Sequence, residues 1–239
     1  MRPITGALCS VCGERLASPY AFADGDGTLH CGLCQRTKQP YERAVAYGSY
    51  YGGLRELIHL LKYDQLRPSA NVLGRMLAEA IAGIKPLFSG SALVVPVPLY
   101  KRKLRQRGFN QSELIARAAL KLGDWRAPLE LNPHLLERCR ETLSQTGLTR
   151  HQRRENMRGA FIVSKPEEIT DREILLVDDV FTTGTTVSEC ARILLRAGAS
   201  KVWVATVART PNSEVHAAWL GADGERESDG HRMAMAAKA

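Results

Sequence analysis

The sequence predicts an α/β fold, a largely parallel sheet flanked by helices, with a small four-cysteine ribbon ahead of it. Three observations carry this. Apolar strand-like runs alternate with amphipathic helical runs through most of the chain, the order expected of a parallel sheet. The stretch "ILLVDDVFTTGTT" (174–186) takes an apolar strand straight into two acids and a hydroxyl-rich loop. Two C-x-x-C knuckles, Cys9 with Cys12 and Cys31 with Cys34, fall within the first 34 residues.

The knuckles come first in the chain. Each can turn two thiolates toward one ion, and two of them complete a closed tetrahedral shell, so the expected ion is a structural Zn2+. Gly13 and Gly32 are read as supplying the backbone freedom of such tight turns. Pro40 closes this segment, giving a ribbon at 1–40 and a main domain at 41–210. The other two cysteines, Cys139 and Cys190, are expected to be ordinary, with Cys190 in a helix core.

"AVAYGSY" (44–50) reads as a strand. "GLRELIHLLKY" (53–63) spaces Leu54, Leu57, Ile58 and Leu61 as one helical face, and a second helix follows over 70–84. "ALVVPVP" (92–98) is a fully apolar strand whose pairing must end near its prolines, which cannot donate to a ladder. "QSELIARAALKLG" is a helix with Asn110 as N-cap, Glu113 as its third-position partner and Gly123 as its stop. Thr186 with Glu189 looks like a second capping box, opening "VSECARILLRA", which Gly198 ends. "KVWVATVA" (201–208) is the last strand. From Pro211 only scattered apolar residues remain, so 211–239 is expected to be a disordered tail.

Lys plus Arg exceeds Asp plus Glu by 33 − 25 = 8, and an anionic partner follows: nucleic acid, a phosphorylated metabolite or an acidic membrane. No apolar run is long enough for a membrane span, and the N-terminus has no apolar signal region, so a cytoplasmic location without membrane insertion is expected. Aromatic residues make up only 6% and do not interleave with basic ones, which weighs against base stacking as the binding mode.

In an open parallel sheet, ligands sit beyond the carboxyl ends of the strands. Asp178 and Asp179 stand at such an end, and "TTGTT" leads from them into a helix. That loop offers backbone N–H groups, hydroxyls and a positive helix end, all suited to a phosphate. The acids would repel the phosphate but can accept hydrogen bonds from a sugar diol, so a phosphorylated ribose meets both demands. A magnesium-nucleotide site would need a partner G-x-x-x-x-G-K-[ST], which is absent, as is G-x-G-x-x-G.

With those residues in view, "ILLVDDVFTTGTT" resembles the phosphoribosyl-pyrophosphate (PRPP) signature of type I phosphoribosyltransferases. The resemblance implies that Asp178 and Asp179 take the ribose 2′ and 3′ hydroxyls. It also implies that Thr182, Thr183, Gly184, Thr185 and Thr186 wrap the 5′-phosphate. PRPP carries a pyrophosphate as well, with Mg2+. The basic segment "VPVPLYKRKLRQRGFNQSE" holds Lys101, Arg102, Lys103, Arg105 and Arg107 between a strand end and a capped helix. It reads as a pyrophosphate loop, with Arg105 and Arg107 best placed. "RCRETLSQTGLTRHQRRENMRGAF" (138–161) reads either as a mobile flap over the reacting centre, as in that family, or as a plain exposed hairpin.

The four-cysteine ribbon, the two basic segments and the PRPP loop occur in one order. Together they resemble the ComF family, over about residues 9–210, and so imply a type I phosphoribosyltransferase-like fold and an association with DNA uptake in natural competence. Transfer of the phosphoribosyl group would pass through an oxocarbenium-like state, stabilised by positioning and electrostatics rather than by a dedicated base. Arg105, Arg107, Asp178 and Asp179 would carry it, toward an acceptor the sequence does not identify. Glutamine amidase chemistry is not expected, because Arg2 follows Met1 and the nearby cysteines are zinc candidates. Two other functions stay open: a non-catalytic factor binding single-stranded DNA with PRPP as regulator, and a ribbon adaptor contacting a competence helicase or membrane channel.

Overall fold

The computed structural model describes residues 3–16, 27–123, 125, 128–142 and 149–210, and the tail read as disordered lies outside them. After a short helix in the ribbon, α1 (Gly32–Arg36), come β1 (Ala44–Ser49), α2 (Gly52–Lys62), α3 (Ser69–Ala82) and β2 (Ala92–Pro96). Then follow α4 (Lys101–Arg107), α5 (Gln111–Leu122), β3 (Leu129–Leu131), β4 (Leu136–Arg138), α6 (Arg150–Met157) and β5 (Phe161–Val163). β6 (Glu173–Phe181), α7 (Thr185–Arg196) and β7 (Lys201–Arg209) complete the fold.

β1, β7, β6, β2 and β3 form, in that order, one all-parallel sheet. A parallel sheet is covered on both faces, so its central strands can be apolar throughout; Ile174 to Val177 and Val202 to Ala205 are all buried. On one face α2, α3 and α5 pack through Ile58, Leu61, Leu73, Leu77 and Ile115 onto Leu175, Val177 and Ala205. On the other, α7 packs through Val187, Cys190 and Leu194 onto Ile174, Leu176 and Val204, and the ribbon joins this core through Cys9, Cys12 and Tyr41. Gly74 of α3 lets that helix meet α5 at close range, since a Cβ there would lie 2.4 Å from the Ala118 Cβ.

β4 and β5 form a separate antiparallel pair, with Leu136 and Phe161 buried. The helix α6 stands between them. Thr149 accepts from the Gln152 N–H at 3.2 Å and the Gln152 side chain accepts from the Thr149 N–H at 2.9 Å, a full capping box. Met157 and Ala160 are fully buried, and Gly159 N–H donates to Glu189 of α7 at 3.1 Å. The described part of 138–161 is therefore a packed strand–helix–strand unit and not a plain hairpin. Residues 143–148 of that segment lie outside the described ones.

Three local expectations change. The basic run is a helix, α4, because Lys, Arg and Leu are good helix formers; Gly108 stops it in the left-handed region, φ 77°. α7 opens at Thr185, one residue before the expected cap, with Gly184 in the N-cap position at φ 74°. The Thr186–Glu189 box does not form, because Glu189 is taken by Gly159 and by an ion pair with Arg192. Finally, Gly13 does adopt a positive φ, 68°, whereas Gly32 simply begins α1. No described helix is long and apolar enough to cross a membrane.

Candidate functional site

β6 does not stop before its acids. It stays paired with β7 through Asp178 opposite Thr206 and on to Phe181 opposite Arg209. Successive strand side chains point to opposite sides, so two neighbouring carboxylates that would repel each other are sent to different partners.

Asp179, buried, forms an ion pair with Lys62 at the end of α2. Burial pulls the Lys62 pKa down, but the Asp179 carboxylate in contact with it more than restores it, and the net shift is upward. Asp178 accepts from Ser112 Oγ at 2.9 Å and from the Asp179 N–H at 2.9 Å. Its carboxyl is raised to about 7, first by burial and then by the Asp179 charge, with Lys62 opposing. Ser112 is held there by the α5 cap: Asn110 accepts from the Ser112 N–H at 3.1 Å and donates to the Val97 carbonyl at 3.1 Å. The predicted Asn110 cap thus ties the end of β2 to Asp178.

Beyond the acids, Thr182 is exposed and Thr183 half-buried, and the Thr183 and Thr185 hydroxyls lie 2.9 Å apart. Gly184 is needed for two reasons. Its φ is left-handed, and a Cβ there would sit 2.6 Å from the Phe181 ring. Thr185 and Thr186 form the first turn of α7, where backbone N–H groups are unpaired within the helix. The five residues 182–186 are thus drawn into one short turn beside the acids.

Lys62 also belongs to a cluster of cations. Lys62, Lys103 and Arg107, with Tyr63, Gln65 and Gln106, line an open cavity of about 230 Å³. Lys103 is exposed, but partial desolvation of its ammonium group, and then the charges of Arg138, Arg107 and Lys62, lower its pKa. Arg107 is half-buried, donates to Gln111 and lies 5.8 Å from the Tyr63 ring centroid. Arg105 is exposed on α4 and does not line the cavity. Of the two arginines singled out from sequence, only Arg107 joins the cluster. Lys62 is not singled out from sequence, although its place at the C-terminal end of an apolar helix is a weak pointer, and Arg138 opens the basic segment 138–161 without being marked within it.

In the ribbon, the Sγ atoms of Cys9, Cys12, Cys31 and Cys34 all lie within 4.8 Å of one another. Four sulfurs about 2.3 Å from a zinc ion stand about 3.8 Å apart, and Cys12 and Cys31 are at 3.6 Å. The donor set therefore fits zinc with no open position. Cys190 is fully buried, as expected, and Cys139 is exposed.

A parallel sheet with this loop after a central strand defines the class: a phosphoribosyl transferase domain, whose family model matches residues 135–219. The chain is 33% identical over 212 residues, 85% of its length and 90% of the relative's, to the DNA utilization protein YhgH of Escherichia coli K12. It is 32% identical over 211 residues, 84% and 90% of the two lengths, to Competence protein F of Haemophilus influenzae. A hypoxanthine phosphoribosyltransferase from Staphylococcus aureus superposes on 60% of this chain and 66% of its own, with TM-score 0.37 and 14% identity. The chain belongs to the ComF family of phosphoribosyltransferase-like proteins.

Proposed function

We propose that the chain binds PRPP with Mg2+ at the carboxyl end of β6 and acts as a phosphoribosyltransferase toward an unidentified acceptor. In this reading Asp178 and Asp179 accept from the ribose hydroxyls, and Thr182, Thr183, Gly184, Thr185 and Thr186 hold the 5′-phosphate. Lys62, Lys103 and Arg107 neutralise the pyrophosphate, with Arg105 at most an outer contact. The observation that carries it is the Asp178–Asp179 pair, followed directly by the hydroxyl-lined turn at 182–186 and tied through Lys62 to the cavity that Lys103 and Arg107 also line. Positive charge next to the departing pyrophosphate, and positioned acids at the sugar, are what such a transfer needs. Magnesium would supply further charge on the pyrophosphate. Residues 1–40 then serve as a structural zinc ribbon and 41–210 as the binding domain, in a cytoplasmic protein.

The names of the relatives support placing the activity in DNA utilisation and natural competence. A second reading is that the same site regulates a protein that binds single-stranded DNA or a competence helicase. The net charge of +8 fits it.

Calorimetric titration of PRPP with magnesium into wild type and into Asp178→Ala with Asp179→Ala tests the first reading. Saturable binding lost in the double variant supports it, and equal binding by both proteins sinks it. A steep fall of single-strand affinity with salt would support the second.

A further inference from the structure

The ribbon and the phosphate turn are joined by one buried side chain. Arg209, at the end of β7, is 7% exposed. Its Nη1 donates to the Cys12 carbonyl at 2.7 Å and its Nη2 to Glu14 Oε2 at 2.6 Å. The same guanidinium lies 4.4 Å from the centroid of the Phe181 ring. Tyr41, at the foot of the ribbon, also meets Phe181 in a T-shaped contact, with ring centroids 6.4 Å apart and planes at 88°. Phe181 is the last residue of β6, directly before the turn, and its ring is the surface that Gly184 rests on. A continuous packed path therefore runs from a cysteine of the metal shell, through Arg209 and Phe181, to the residue that gives the turn its left-handed bend.

From this path we propose that Arg209 and Phe181 are positioning residues for the phosphate turn, and that the metal-loaded ribbon holds them in place. Arg209 touches no ligand in this scheme. It holds Phe181 flat by stacking and by anchoring to Cys12 and Glu14, and Phe181 in turn fixes where Gly184 and the N–H groups after it stand. Loss of the metal loosens the turn from Cys9 to Glu14, which carries both anchors of Arg209, and the turn at 182–186 loosens with it. The ribbon is then part of the binding apparatus although its closed sulfur shell does no chemistry. The inference rests on the reading of 182–186 as the phosphate site, but its structural half can be measured without any ligand.

The test uses the full-length, zinc-loaded protein, the same protein after chelation, and two variants, Phe181→Leu and Arg209→Met with Glu14→Gln. The second removes both partners of the buried ion pair, so no lone charge is left behind. Hydrogen exchange at the amides of 183–186 is read alongside zinc content and the affinities for ribose 5-phosphate and inorganic pyrophosphate. Chelation, and each variant with its zinc retained, should raise exchange in the turn and leave that of Leu175–Val177 unchanged. Ribose 5-phosphate should bind about tenfold more weakly, a loss of about 1.4 kcal/mol, while pyrophosphate, whose contacts are Lys62, Lys103 and Arg107, should keep its affinity. Unchanged exchange in the turn of chelated protein and of zinc-loaded Phe181→Leu would overturn the inference. If wild type binds no ribose 5-phosphate, the phosphate reading fails, and exchange alone still decides the coupling.

Discussion

Lys62, the last residue of α2, is ion-paired with Asp179, the second acid of β6, and both are largely buried. The pair joins two segments more than a hundred residues apart and ties the second acid of β6 to the cavity that Lys62 shares with Lys103 and Arg107. A buried pair is costly to break from one side, because the remaining charge is left without a partner. Lys62→Met should therefore destabilise the protein by about 3 kcal/mol. Adding Asp179→Asn should recover most of that loss. Urea unfolding of the two single variants and the double gives the coupling directly, and additive losses would mean that the pair contributes nothing as a pair.

Asp178 should make stability depend on pH in a definite sense. Its carboxyl is raised from 3.8 to about 7, so the folded protein holds a proton that the unfolded chain releases. The stabilisation from that proton is complete below the unfolded value and is lost as pH rises through about 7. Asp178→Asn, neutral at every pH, should gain in melting temperature relative to wild type between about pH 4 and 7 and level off above. The same variant should bind PRPP poorly. A difference in melting temperature that does not change with pH would mean that Asp178 is ionised throughout.

Arg107 and Arg105 are two residues apart on α4 and should behave differently. Arg107 lines the cavity beside Asp179, and Arg105 faces solvent. A charge-assisted hydrogen bond to phosphate is worth roughly 1.5–3 kcal/mol. Arg107→Ala should thus weaken pyrophosphate binding by about tenfold or more, and Arg105→Ala by about twofold at most. Equal effects would place the anion along the outer face of α4 instead.

Gly74 should be intolerant of a side chain although it is far from any ligand. An added Cβ would meet the Ala118 Cβ at 2.4 Å and the Ala119 backbone N at 2.9 Å, and both belong to a rigid helix. Gly74→Ala should cost about 2 kcal/mol through overpacking. Because α5 carries Ser112, the displacement should also reduce PRPP affinity. Gly90, where a Cβ would meet nothing within 4 Å, is the control and should accept alanine without loss.

Much of this arrangement can be read from the chain because its signals are local. The strand at 92–96 announces itself by an uninterrupted apolar run, those at 44–49 and 201–209 by runs rich in valine, alanine and aromatic residues, and Asn110 by its place before a helical stripe. Other parts are hidden for physical reasons. α4 has a single apolar residue, Leu104, so no periodicity marks it, and its helix rests on propensity and on Gly108. α6 is almost wholly polar, yet Thr149 and Gln152 do spell a capping box that could have located it. Thr186 and Glu189 have the same spelling without the structure, because a tertiary partner claims Glu189 first. The Lys62–Asp179 pair has no sequence signature, since only folding brings its members together.

The strand order has a consequence for how the molecule comes into being. β7, the final strand, lies between β1 and β6 and pairs with both. While the chain is being synthesised, β1 has no neighbour and β6 lacks one edge until residues 201–209 leave the ribosome. The four cysteines emerge early and can gather an ion at once, but their buried anchor, Arg209, follows Cys12 by 197 residues. Until β7 is made, β6 keeps one apolar edge without its strand partner, and an unpaired edge of this kind is prone to aggregate. Residues 201–209 act as the closing wedge of the sheet, and truncation just before them should yield an insoluble product rather than a smaller folded one.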